Sequence, residues 1–121
     1  ALHERAELNG LAVTPYLMKH YSGAPSYALR IEVAGKIFTY SGDTEWVDEL
    51  IPAARGADLF VCEAYFFDKV VKYHIDYSTL AKRLPDIGAR RTIVTHMSAE
   101  LLARRGEMTL EAAHDGLVVE F

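Results

Sequence analysis

Four apolar stretches of this chain each stop at a residue that can hold a cation or move a proton. Lys36-Ile37-Phe38-Thr39-Tyr40 runs through Ser41-Gly42 into Asp43, and Asp58-Leu59-Phe60-Val61-Cys62 stops at Glu63. Arg91-Thr92-Ile93-Val94-Thr95 stops at His96, and a fourth stretch, from position 11 onward, ends in His20. Neutral imidazole suits zinc, iron and nickel, and a carboxylate can bridge two cations through its two oxygens while reducing their repulsion. Each residue taken singly also has a plain structural explanation. Asp43 or Thr44 would cap a following helix, His20 and His96 would be ordinary strand-end histidines, and Glu63 would pair with Arg30 or Lys72. What favours chemistry is the coincidence: strand ends of one polarity share an edge of a sheet, so residues far apart in sequence converge there.

The elements that must position these residues are legible as changes of period. Tyr27-Ala28-Leu29-Arg30-Ile31-Glu32-Val33 alternates, with Tyr27, Leu29, Ile31 and Val33 on one face of a half-buried strand. Ala34-Gly35 then turns the chain into the strand that feeds Asp43, an antiparallel hairpin. From Thr44 the period becomes helical, with Trp46, Val47, Leu50, Ile51 and Ala54 on one stripe and a kink expected at Pro52. The continuous apolar runs before Glu63 and His96 read as strands covered on both faces. Residues 64–75 read as an aromatic loop, 78–84 as a short helix ended by Pro85, 99–105 as a helix, and 117–121 as a last strand. Pro15 marks an edge or bend, and the first nine residues read as a helix tail or frayed end.

Composition sets the bounds. With 121 residues the chain is one domain's worth, 50% hydrophobic and 25% charged, as in ordinary globular proteins. A formal charge of −4 argues against a general nucleic-acid surface. The single cysteine, Cys62, excludes an internal disulfide and reads as a reduced core residue, which makes cytoplasmic the expected location. No apolar run approaches the about 18 residues of a membrane span, so no membrane partner is expected. No glycine-rich phosphate loop appears, which sets aside a nucleotide-binding module.

Tyr40-Ser41-Gly42-Asp43-Thr44 and Thr95-His96-Met97-Ser98, separated by a helix, a strand ending in Glu63-Ala64 and a loop carrying His74, resemble the C-terminal half of the metallo-β-lactamase-fold hydrolases. The similarity is strongest to the branch that holds ribonuclease Z, the tRNA 3′-processing endonuclease, and related phosphodiesterases. It runs from about His20 to Phe121. It implies an α/β fold, half of an αββα sandwich, with a mixed sheet and helices on one face. It also implies hydrolysis of a small ester or phosphodiester by a water that two divalent ions activate. Zinc is the expected metal, with manganese or iron as alternatives. Carried over by residue, His20 would bind one metal, Asp43 would bridge both, and His96 would bind the second. Glu63 and His74 would orient the site and assist the leaving group's proton, with Asp43 counted among the catalytic residues as well.

Two departures from the family's pattern matter. Its His-x-His-x-Asp-His hallmark is absent, and His3 has no partners at that spacing. Three ligands cannot hold two ions, since each position takes four or more donors including water. The chain alone is therefore expected to be inactive, the C-terminal part of a longer hydrolase whose missing half, or a second copy in a homodimer, covers an otherwise open apolar face carrying Tyr27, Leu29 and Ile31. The alternative is a non-catalytic half-domain that serves as a dimerisation or docking module. Second, the long RNA-gripping insertion of the tRNA-processing enzymes is missing between His20 and Asp43, which are only a hairpin apart. That argues against tRNA and for a smaller substrate in a pocket near Tyr65, Phe66 and Tyr73.

Overall fold

The structure, a computed structural model, describes residues 4–20 and 23–121. His3 and the start of the expected turn at Ser22 lie outside the described residues. Seven strands among the described residues form one mixed sheet in chain order. They are β1 (Ala6–Leu8), β2 (Leu11–Met18), β3 (Ser26–Val33), β4 (Lys36–Tyr40), β5 (Leu59–Glu63), β6 (Thr92–Thr95) and β7 (Glu111–Ala112). The first four make an antiparallel meander, and β4 to β7 pair in parallel. Parallel neighbours need crossovers, and α1 (Leu50–Ala54), α2 (Tyr77–Ile87) and α3 (Ala99–Ala103) supply them. All three pack on one face of the sheet. Ala28, Phe60, Cys62 and Val94 meet Leu50, Ala53, Leu80, Ile87 and Leu101 in a single core. The fold is thus α/β, with a mixed sheet and helices on one side.

Several elements differ from the sequence reading. The charged N-terminus forms β1, because Asn9 (φ 50°) and Gly10 (φ 82°) make a two-residue turn that pairs Leu8 with Leu11. Arg5 then pairs with Glu7 and Glu32. Pro15 lies inside β2, where β1 reaches only as far as Val13, so the strand is an edge beyond that point and tolerates a proline. The helix expected from Thr44 is only α1, and Pro52 is its third residue, where the missing N–H would have had no partner anyway. No kink results. In α2 the helix runs through Pro85 to Ile87 and stops at Gly88 (φ 72°), whose N–H bonds Leu84 O. Residues 117–121 form no strand. Phe121 instead packs over β4, its ring 6.1 Å from that of Phe38.

The face of β3 that alternates apolar points away from the helices. Ala28 is buried and Arg30 donates to Ala53 O and Arg55 O of α1's end at 3.1 and 2.8 Å, while Tyr27 and Val33 are 40% and 37% exposed. A small residue at 28 lets the helix approach, which decides the orientation against the apolar alternation. No helix among the described residues is long and apolar enough to cross a membrane.

Candidate metal centre

Strands β2, β4, β5 and β6 run in one direction, so their C-terminal ends lie on one edge of the sheet, and the chain delivers His20, Asp43, Glu63 and His96 to that edge. Glu63, the last residue of β5, sits at the centre with its side chain only 1% exposed. Its Oε1 accepts the Thr44 N–H at 2.6 Å. Its Oε2 lies 2.8 Å from His74 Nδ1 and 3.2 Å from His96 Nδ1. An ionised carboxylate only accepts, so His74 donates from Nδ1 to Glu63. His96 Nε2, on the other side of its ring, lies 3.8 Å from Asp43 Oδ2.

The local backbone is built to hold this arrangement. Gly42 (φ 62°) lets the chain leave β4 at an angle, and a Cβ there would meet Tyr27 O at 3.2 Å. Ser41 Oγ accepts the Glu63 N–H at 3.0 Å, which ties the loop to β5. Thr44 Oγ1 accepts the Lys19 N–H at 2.9 Å, and Glu45 N–H bonds Lys19 O at 3.0 Å, pinning the end of β2 beside the end of β4. His96 itself adopts φ 56°, a left-handed conformation costly for a non-glycine residue and typical of functional sites. The Ala64 N–H to Thr95 O and Ser98 N–H to Tyr65 O bonds hold it there.

His20 lies on the flank. Its ring centroid is 5.3 Å from that of His74, edge to face. His74 and His96 stack at 5.2 Å, and Tyr65 covers both, at 5.0 and 5.5 Å. The structure thus brings Glu63, His74 and His96 together with donor atoms within 4.8 Å of one another, with Asp43 adjoining through His96 and His20 through His74. Sequence reasoning overlooked the pinning roles of Ser41 and Thr44 and the lid-like position of Tyr65. Small hydroxyl residues on both sides of a Gly-Asp turn were the available signal for the first two.

The donor set fits a divalent cation. Burial pushes the Glu63 carboxyl up to about 7, and the Asp43 charge adds to this, while the Thr44 and Ile75 N–H groups and His96 act against it. No Lys or Arg pairs with Asp43 or Glu63 among the described residues, so a cation there would meet two carboxylates and two imidazoles with no competing positive side chain. Asp43 oxygen and a free His96 Nε2 at 3.8 Å can both reach an ion that takes ligands at about 2.0–2.2 Å. A ligating histidine commonly donates its other N–H to a carboxylate, and the His74 bond to Glu63 has that form.

The chain matches the family model described as a beta-lactamase superfamily domain over residues 1–97. An uncharacterized protein of Mycobacterium leprae is 34% identical over 98 residues, which cover 78% of this chain and 34% of that protein. The ribonuclease Z of Bacillus velezensis is 34% identical over 82 residues, covering 64% of this chain and 26% of that enzyme. The crystal structure of the metallo-beta-lactamase fold protein YhfI from Bacillus subtilis superposes with a TM-score of 0.81 at 21% identity, over 99% of this chain and 54% of that one. The chain therefore spans about a third of the curated relatives it matches. With its parallel strand ends, buried acid and paired imidazoles, the chain belongs to the metallo-β-lactamase superfamily, on its ribonuclease Z-like side.

Proposed function

We propose that this chain carries one half of a dinuclear hydrolase site acting on an ester or phosphodiester, with the remaining ligands supplied by a segment that its relatives have and these residues lack. The observation that carries the reading is the buried Glu63, which hydrogen-bonds His74 Nδ1 and lies 3.2 Å from His96 Nδ1, with His96 Nε2 3.8 Å from Asp43. In this reading His20, Asp43 and His96 would be the residues that hold the ions. Zinc is the first choice for an imidazole and carboxylate set, with manganese or iron as alternatives. When bound, such ions lower the pKa of water to near neutrality and stabilise charge building on the substrate oxygen. The chain's own residues then do the positioning. Glu63 anchors His74 by its Nδ1, and His74, when Nε2 also carries a proton, would present that proton to the departing oxygen.

A docking module is the weaker account. A carboxylate 1% exposed and shared between two histidines is costly to bury, and docking gives it no purpose. The test is metal analysis and hydrolysis of bis(p-nitrophenyl) phosphate by the protein that includes this chain together with the completing ligands. We expect at least one metal per chain, and a loss of about a hundredfold or more in kcat for Asp43→Ala. Less than one metal per chain, together with undiminished hydrolysis by Asp43→Ala, would overturn the proposal.

A further inference from the structure

We infer that the groove running from His96 between α3 and the C-terminal tail receives an anionic group of the substrate, with Arg105 as the residue that selects it. This rests on the hydrolase reading and narrows its substrate class. The groove holds about 380 Å³ and is lined by His96, Met97, Leu102, Arg105, His114 and Asp115, so it opens directly from the imidazole whose Nε2 lies near Asp43. Leu102 and Met97 give it an apolar wall suited to the body of an ester.

The arginines around it show why Arg105 stands out. Arg104 is fully committed: it donates to Glu107 at 2.9 and 3.0 Å, reaches Glu100 at 3.5 Å, and stacks its guanidinium 3.8 Å over the Phe67 ring. Arg91 forms a bidentate pair with Glu111 at 2.6 and 2.7 Å. Arg105, one residue on from Arg104 in a 3-10 turn (Arg105–Glu107), makes no side-chain hydrogen bond or ion pair among the described residues. A guanidinium left free in a groove is a fork for a phosphate or carboxylate. His114 Nδ1 donates to Asp115 O at 3.0 Å, which fixes the ring in the groove wall and leaves Arg105 as the anion-binding group. Asp115 lines the same groove and opposes excess negative charge, so the selected group is a monoanion, such as a second phosphodiester or a carboxylate, rather than a dianion.

The test uses the protein that includes this chain together with its completing half, without metal, so that binding is read apart from activity. Phenyl methyl phosphate and the neutral anisole are titrated while the amides of Leu102, Ala113 and Asp115 are followed by NMR. We expect the monoanion to bind at least about tenfold more tightly than the neutral ring, Arg105→Ala to abolish that preference, and Arg105→Lys to retain part of it. Equal binding of the two probes, or an unchanged preference in Arg105→Ala with a native spectrum, overturns the inference. Preferential binding without any hydrolysis by the completed, metal-loaded protein supports the groove and counts against the hydrolase reading. Hydrolysis with no preference does the reverse.

Discussion

At residue scale the site turns on one buried carboxylate that two histidines share. Replacing Glu63 with Gln keeps the volume but leaves one accepting oxygen where two are used, so an amide NH2 faces either the Thr44 N–H or the imidazole nitrogens at the Oε2 position. We expect Glu63→Gln to stay folded and to weaken metal affinity about 10- to 100-fold, read by competition with a chelating dye. Unchanged affinity would mean the hub does not orient the ligands. Next to it, burial pushes the Cys62 thiol far up. The proton is held more tightly in the folded chain, so the stability from burying Cys62 is complete below the unfolded thiol's about 8.5 and erodes as pH rises above it. Iodoacetamide at pH 8 should therefore leave the folded chain unlabelled and modify it in denaturant. Rapid labelling of the folded chain would contradict the burial. Gly42→Ala joins a φ of 62° to a 3.2 Å approach to Tyr27 O, and should cost about 1–2 kcal/mol in chemical denaturation.

At the scale of elements, short helices depend on particular bonds rather than on length. Asp76 caps α2 by accepting from Thr79 N–H at 2.9 Å and Thr79 Oγ1 at 2.7 Å. Because Asp76 lies two residues after His74, the cap also fixes where the His74 loop ends. Asp76→Ala should cost about 1 kcal/mol of stability, measured by urea unfolding, with no change in the core. A neutral result would show that the loop, not the cap, anchors the helix. Helix α1 is held mainly from the sheet, since Thr39 Oγ1 donates to Ala53 O at 2.7 Å and Arg30 to the same carbonyl at 3.1 Å. This explains why a five-residue helix, too short to persist alone, forms where the apolar stripe promised a longer one. Trp46 and Val47 still pack against the core, but from the irregular segment before α1.

At the scale of the molecule, one sheet face is covered by helices and the other presents Leu17, Tyr27, Val33 and Tyr40, each 37–40% exposed, with Phe121 lying near Phe38. An apolar face of that extent usually marks a missing partner. We propose that the completing half packs there, and expect the chain on its own to self-associate with rising concentration in light scattering, and to become monodisperse when the half is joined. A monomer at high concentration with no affinity for a hydrophobic dye would count against this.

The shared edge of the candidate site was legible in the sequence because strand ends are marked twice, by a stop in the apolar run and by the residue that follows it. Asp43, Glu63 and His96 were placed at that edge in this way, and His20 less sharply. The family resemblance added His74, the proposed roles and the fold class. The continuous apolar runs joined by helical stretches agree with the parallel pairing of β4 to β7. What sequence could not settle is where side chains point. Alternation named the apolar face of β3 but not which face the helices would take, because a buried Ala28 outweighs the alternation only once α1 is in place. Nor could it show that Glu63 serves both histidines or that Arg105 is free while Arg104 is tied. Those depend on distances across strands and loops far apart in the chain. Residue order decided which donors reach the edge of the sheet, and tertiary packing decided which nitrogen of each histidine is spent and which is left to act.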